Sequence, residues 1–370
     1  MPEAGETAGI TLGAEFEVYQ DQNSGHYLGT VVARELSASS TTLYAKSGFA
    51  LEGDGVALKS CAGTEERVRV HVADGSLKKI IKEIDPNQRI TRLVGRDRAE
   101  FGMALENGKV VFNIHDPDVT KHGLIRMPYI LEPTVEALSP VIRAAAHFYW
   151  HRRRTLKTGR GVLAEKVKIE MTKLKLERVE YDEELKPVGV YRPTTGGRKG
   201  GKVFELQTDK LYGWNIINYC KVPLYPALFY FDNSDWSIGE YQPVFQAVMI
   251  LIRYSILEPY YLPPFAGGIV DPPLKGERHL TVGYGDSGWV PHTFFLREGQ
   301  KVDVGILKLF LSTTQVNLSH VAQSSPFKGV PTSTGSRGTE KAVLPTNFKL
   351  PLPWDTIEIP VIQRRADKYW

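Results

Sequence analysis

Leu224-Tyr225-Pro226-Ala227-Leu228-Phe229-Tyr230-Phe231 is the stretch from which the fold is read. It is apolar and aromatic almost without a break, short, and bounded by turn residues, which is the pattern of a buried strand. Comparable runs surround it: Lys202-Val203-Phe204-Glu205-Leu206, Leu211 to Asn218, His279-Leu280-Thr281-Val282, and Gly305-Ile306-Leu307-Lys308-Leu309-Phe310-Leu311. Their number, spacing and aromatic content predict a two-sheet β-sandwich over residues 162–325. At its start Val167, Ile169 and Met171 share one face, whereas Leu174 and Leu176 fall on the other parity. A one-residue slip of this kind predicts a β-bulge after Thr172. Beyond Phe327 the chain is rich in Gly, Ser, Thr and Pro, so residues 326–370 read as a loosely structured tail with one further strand over Thr356–Ile362.

Working outward, residues 1–62 read as short strands. Glu15 to Tyr19 alternates, with Phe16 and Val18 on one face, and Gly29 to Ala33 and Thr41 to Tyr44 follow at hairpin spacing. Strands this short must curl to bury one side, which predicts a small β-barrel. Residues 63–157 mix patterns and predict an α+β module. Val68 to Val72 alternates, and Leu77, Ile80, Ile81 and Ile84 then form a helical stripe with Ser76 as the expected N-cap. Asn107-Gly108 predicts a hairpin, and Ser139-Pro140 is read as the opening of a helix that runs toward Arg154. The expected fold class is mainly β with some α+β.

Composition bounds the function. Hydrophobic residues make up 42% and charged residues 24% of the 370, which fits a folded globular chain rather than disorder. Net charge is +4, and basic residues alternate with acids, so no nucleic-acid partner is expected. The densest basic run, His151-Arg152-Arg153-Arg154, reads as a solvated helix end whose charges complement the helix dipole. Two cysteines, Cys61 and Cys220, cannot form a disulfide framework, which together with an acidic N-terminus predicts a reducing, cytoplasmic location. No segment approaches the roughly 18 apolar residues of a membrane span.

Candidate chemistry is sparse. Gly285-Asp286-Ser287-Gly288 is similar to the serine context of trypsin-like proteases, but Trp289 follows it and no histidine has the matching setting, so it reads as a polar turn. Cys61 precedes the only His-Gly pair, His122-Gly123, the reverse of the caspase order, and reads as a small residue at a strand end. The histidines are read as unpaired, without a Cys or carboxylate set at metal-ligand spacing. Gly196-Gly197-Arg198-Lys199-Gly200-Gly201 lacks the Lys-Ser/Thr of a phosphate loop and reads as a mobile hairpin loop. No catalytic residue, metal ligand or cofactor is expected. Trp236, Tyr284 and Trp289 are the candidates for an exposed binding surface.

Two stretches carry a resemblance. Glu3 through Tyr19, with Leu28-Gly29-Thr30, resembles the region that follows the protease domain in caspase-like (metacaspase-like) proteins of mushroom-forming fungi; so does Val222 through Phe231, with Asp271-Pro272-Pro273-Leu274 and Leu307 to Leu311. The resemblance runs over nearly the whole chain and implies non-catalytic C-terminal modules of a cysteine-peptidase family, with the His-Cys dyad absent. The implied role is recognition: positioning a caspase-like protease chain or recruiting its target, with a protein partner. One departure stands out. Where the family runs directly from Ser-Ile into Glu-Pro-Tyr-Tyr, this chain inserts Gly239 through Leu257, which reads either as a retained intron or as an amphipathic helix presenting Val244, Val248, Leu251 and Ile252. The alternatives are a stand-alone binding sandwich for carbohydrate or protein, an independent hydrolase, and a truncated caspase-family peptidase.

Overall fold

A computed structural model describes residues 10–20, 26–36, 40–46, 56–61, 65–155, 162–181, 187–208, 210–241, 274–284, 291–297, 299–313, 318–327 and 354–365, with Gly5, Gly48 and Gly63 as single residues. The fold is mainly β. Strands β1 (Glu15–Tyr19), β2 (Tyr27–Leu36), β3 (Thr41–Ala45) and β4 (Val56–Cys61) form an antiparallel sheet in the order β3-β2-β1-β4, a half-barrel wall. Its own small core consists of Ile10, Ala14, Phe16, Val18, Val31 and Ala33.

The middle module contains β5 (Val68–Val72), helix α1 (Gly75–Ile84), β6 (Thr91–Leu93), β7 (Phe101–Glu106), β8 (Lys109–Ile114), the short helix α2 (Pro117–Thr120), β9 (Arg126–Leu131) and helix α3 (Val135–Arg153). The sheet order is β6-β5-β7-β8-β9, with β6 and β7 parallel to β5 and the remaining pairs antiparallel. The α1 stripe buries Leu77, Ile81 and Ile84, but its cap is Asp74, whose carboxylate accepts from Ser76 N at 2.8 Å and Leu77 N at 3.1 Å. Likewise α3 opens one turn before Ser139-Pro140. Thr134 Oγ1 accepts from Ala137 N, and Pro140 sits inside the helix. In both cases a side-chain acceptor further upstream reached the orphan N–H groups first. Asn107 and Gly108 turn with φ of 51° and 75°, as the two-residue hairpin between β7 and β8 requires.

The third unit is a sandwich. One sheet runs β11 (Pro187–Gly200), β10 (Val167–Tyr181), β13 (Leu211–Asn218), β16 (His279–Val282), with β17 (His292–Thr293) also on β13. The other runs β12 (Phe204–Gln207), β19 (Trp354–Arg364), β18 (Val302–Ser312), β14 (Tyr225–Asp232), β15 (Ile238–Tyr241). The sandwich therefore extends past residue 325: β19 is not part of a loose tail but lies between β12 and β18, with an unbroken register from Val302↔Arg364 to Ser312↔Trp354. The Gly196–Gly201 stretch is also corrected. Through Gly200 it belongs to β11, because β10 supplies a ladder at Thr172↔Arg198 and Glu170↔Gly200. The bulge near Thr172 is on β11, since β10 pairs regularly with β13 across that point. Residues 242–257, and with them the inserted segment's apolar face, lie outside the described residues.

The sheet containing β18 is covered on both faces. Leu307, Leu309 and Leu311 with Leu228 and Val361 face the opposing sandwich sheet. Val304, Ile306 and Phe310 with Phe229, Phe231 and Trp354 instead join one core with α1, α3 and the middle sheet. That double burial is why Leu224–Phe231 shows no polar alternation. The α3 helix, through Leu138, Val141, Ile142, Ala145, Phe148 and Tyr149, is the filling between the two sheets.

Candidate binding cleft

Placing α3 between two sheets buries its basic end. The His151–Arg154 run is not solvated: His151 and Arg154 are 3% and 4% exposed. Arg154 lies over the rings of Phe310 and Trp354, at 5.4 and 5.8 Å from their centroids. Lys308, fully buried on β18, donates to the His151 and Arg152 carbonyls at 3.0 and 2.8 Å and to Glu358 Oε1 at 2.7 Å. A lysine thus satisfies the last carbonyls of α3 in the way a C-cap does. Burial pushes its ammonium down to about 8, against the pull of Glu358.

The other two arginines of the run turn toward the middle sheet and build the floor of a cleft. Glu100, just before β7, is 5% exposed. It accepts from the Arg69 main-chain N at 2.8 Å and from the guanidinia of Arg69 and Arg153. Arg153 also donates to the Glu65 and Arg67 carbonyls. Arg152 pairs with Glu358 and lies 3.8 Å from Asp116, the N-cap of α2. Burial raises the Asp116 carboxyl, with Arg152 opposing. His115 rests where a Cβ on Gly102 would stand, 2.7 Å from its Cε1. Burial first, and then the Arg96 charge, hold its imidazole below the ordinary value.

The rim comes from a crossing of the chain. β6 pairs with β5 only up to Val70 and β7 only from Val70 onward, so residues 94–100 pass over β5. They are tied down by Val94 N to Val70 O and Glu100 N to Arg69 O. The crossing projects a 3-10 turn, Arg96–Arg98. Arg92, Arg96 and Arg98 are exposed, and their guanidinium groups make no hydrogen bond or ion pair among the described residues. The resulting cleft, about 410 Å³, is lined by Arg69, Arg92, Arg98, Glu100, Asp116 and Arg153, among others. It shares Asp97 and His115 with a second hollow of about 680 Å³ to which Arg96 and Asn113 contribute.

The residues singled out from sequence lie elsewhere. Trp236 is fully buried at the β14–β15 turn. Its φ is 54° and its indole packs 4.7 Å from the Phe101 ring, plugging the sandwich into the middle module. Tyr284 is buried over Gly213 beside Leu174, so it too offers no exposed surface. An aromatic after a polar turn gives no sign of which sheet it will meet, and both found one. Trp289 and Ser287 lie outside the described residues. Cys61 closes β4, and Cys220 is a free, buried thiol.

Two further polar clusters are internal. Arg297 donates to Ser234 Oγ at 2.6 Å, Asp232 at 3.0 Å and Asp235 at 2.8 Å, with Asp303 at 3.9 Å. Burial and then mutual repulsion raise the Asp232 and Asp303 carboxyls. Burial opposes the Arg297 charge, but Asp232 and Asp235 outweigh it and raise its pKa. Second, His147 and His151 are four residues apart on α3 with ring centroids 4.4 Å apart, and His320 lies 5.5 Å from His151. The His147-x-x-x-His151 spacing contradicts the reading of the histidines as unpaired. Among the described residues no group of three or more His, Cys, Asp or Glu is arranged to hold a metal ion. Among the same residues, no helix is long and apolar enough to cross a membrane. Comparison with known proteins finds no matching family model, no matching curated protein and no matching solved structure.

Proposed function

We propose that the chain is a recognition protein that acts by binding, in the manner expected of the non-catalytic region of a caspase-like protein, and that the arginine-rimmed cleft is its recognition site for an acidic protein segment. The observation that carries this reading is the contrast between floor and rim. Arg69 and Arg153 are committed to the buried Glu100, and Arg152 to the partly buried Glu358. Arg92 and Arg98 line the cleft and Arg96 the adjoining hollow, with no counter-ion among the described residues. Exposed guanidinia held on a crossing strap form a fork for carboxylates, and planar bidentate pairing gives such contacts direction as well as charge. The neutral His115 at the shared wall adds a polar contact without repelling a cationic neighbour on the ligand.

The test is a fluorescence-polarisation titration of the whole chain with a fluorescein-labelled hexaglutamate peptide. Saturable binding is expected, weakened about tenfold or more by Arg92→Glu/Arg98→Glu and by raising salt to about 0.5 M, where exposed charges are screened. Absence of saturable binding, or binding indifferent to both changes, removes the cleft as the site. Turnover of a peptide by the purified chain, lost on substituting one of its own side chains, removes the non-catalytic reading.

A further inference from the structure

Strand β10 outruns its sheet. Up to Leu174 it is paired on one edge with β13 and on the other with β11; from Lys175 to Tyr181 only β11 remains among the described residues. The distal part is therefore a two-stranded arm whose β10 edge is open, and a ribbon of that kind has too little packing to be stable in isolation. Its side chains are nevertheless ordered by a bulge. Leu176 pairs with Tyr191 and Arg178 with Val190, so Glu177 is the extra residue. The re-phasing puts Leu176, Val179 and Tyr181 on one face with Tyr191, and Lys175, Arg178 and Glu180 on the other. Leu176, Val179 and Tyr181 are 50%, 50% and 69% exposed, an apolar row left uncovered by the described residues.

With Glu177 looped out, the segment is self-complementary when read in opposite directions about Arg178. We propose that two copies of this chain associate edge to edge through this arm, antiparallel, about a twofold axis normal to the ribbon. In that register Leu176 lies opposite Val179 of the second copy and Lys175 opposite Glu180 of the second copy, each contact occurring twice. The apolar row becomes continuous across the seam, and an isologous interface needs this self-complementarity. Arg178 falls at the axis, but each copy brings counter-ions for it, Glu180 at 2.6 Å and Glu177 at 3.2 Å. The open edge supplies the main-chain hydrogen bonds, as in other strand additions. The alternative occupants are a strand of another protein, or none, the charges then serving to keep edges apart.

Seven residues of edge span roughly 20 Å, well under a standard interface, so the expected dissociation constant is on the order of tens of micromolar. Sedimentation velocity on the whole chain from about 1 to about 200 micromolar should show the mass rise from one copy toward two. Lys175→Glu and Glu180→Lys each place like charges opposite one another and should each weaken the dimer about tenfold or more. Mixing the two variants restores opposite charges at both contacts and should recover a heterodimer within about threefold of the original affinity. A chain that stays monomeric throughout, or single variants whose mixture associates no better than either alone, overturns the proposal. Both positions are exposed, so an unchanged thermal melt separates lost association from lost folding.

Discussion

Among the described residues Glu358 is the one carboxylate that serves both Lys308 and Arg152, and Glu358→Gln tests how the α3 end is held. The amide keeps the shape but removes the charge, leaving a fully buried ammonium with two carbonyls and no counter-ion. Stripping one member from a buried pair costs about 3–5 kcal/mol. Glu358 is itself a quarter exposed, so about 3 kcal/mol is expected. Urea denaturation followed by tryptophan fluorescence reads it, since Trp236 and Trp354 lie in the shared core. Two internal checks follow. Adding Lys308→Met removes the uncompensated charge, so the double variant should be more stable than Glu358→Gln alone by about 1 kcal/mol or more. The folded pKa of Lys308, about 8, lies below its unfolded 10.5, so the unfolded chain binds more protons between those values and stability rises with pH in that window. As Lys308 neutralises above pH 8 the deficit of Glu358→Gln should shrink. A loss below about 1 kcal/mol at pH 7, or strictly additive single variants, would refute this account of the latch.

Three other outcomes are expected. His151 is held well below its ordinary pKa by burial and by His147, Arg154, His320 and Lys308, so the stability it contributes is present above pH 6.5 and lost as pH falls; His151→Phe should flatten the decline in melting temperature between pH 6.5 and 5. Arg297→Met strands Asp232, Asp235 and Asp303 together and should cost about 4 kcal/mol at pH 8. Because the Asp232 and Asp303 carboxyls are already raised, protonation relieves them, and the deficit should be smaller in the same melts at pH 5. Thr134→Ala removes the α3 cap and should cost about 1 kcal/mol by chemical denaturation, whereas Ser139→Ala should cost far less.

Where a local pattern decides, the sequence was informative. Asn107-Gly108 has one good use, and Leu77, Ile81 and Ile84 form a helical stripe wherever they are placed. Double burial was visible only as missing alternation in Leu224–Phe231, which does not say what lies on each face. Charge was the systematic deception. His151–Arg154 read as surface because charged groups are rarely buried unless paired. Their partners, Glu100 and Glu358, lie far away in sequence, and only tertiary pairing brings them together. The cleft was hidden for the same reason: Arg69, Arg92, Arg98 and Arg153 belong to separate stretches of the chain, and only the fold brings them around one hollow.

The position of β19 has a consequence for how the molecule is made. A strand that enters between β12 and β18 leaves both with open edges until it arrives, and it follows both of them in the sequence. Sequence-distant pairing of this sort closes slowly. From the time β18 is made until β19 follows, the growing chain carries two sheet edges that wait for one strand, and it is in that interval that a chaperone has something to hold.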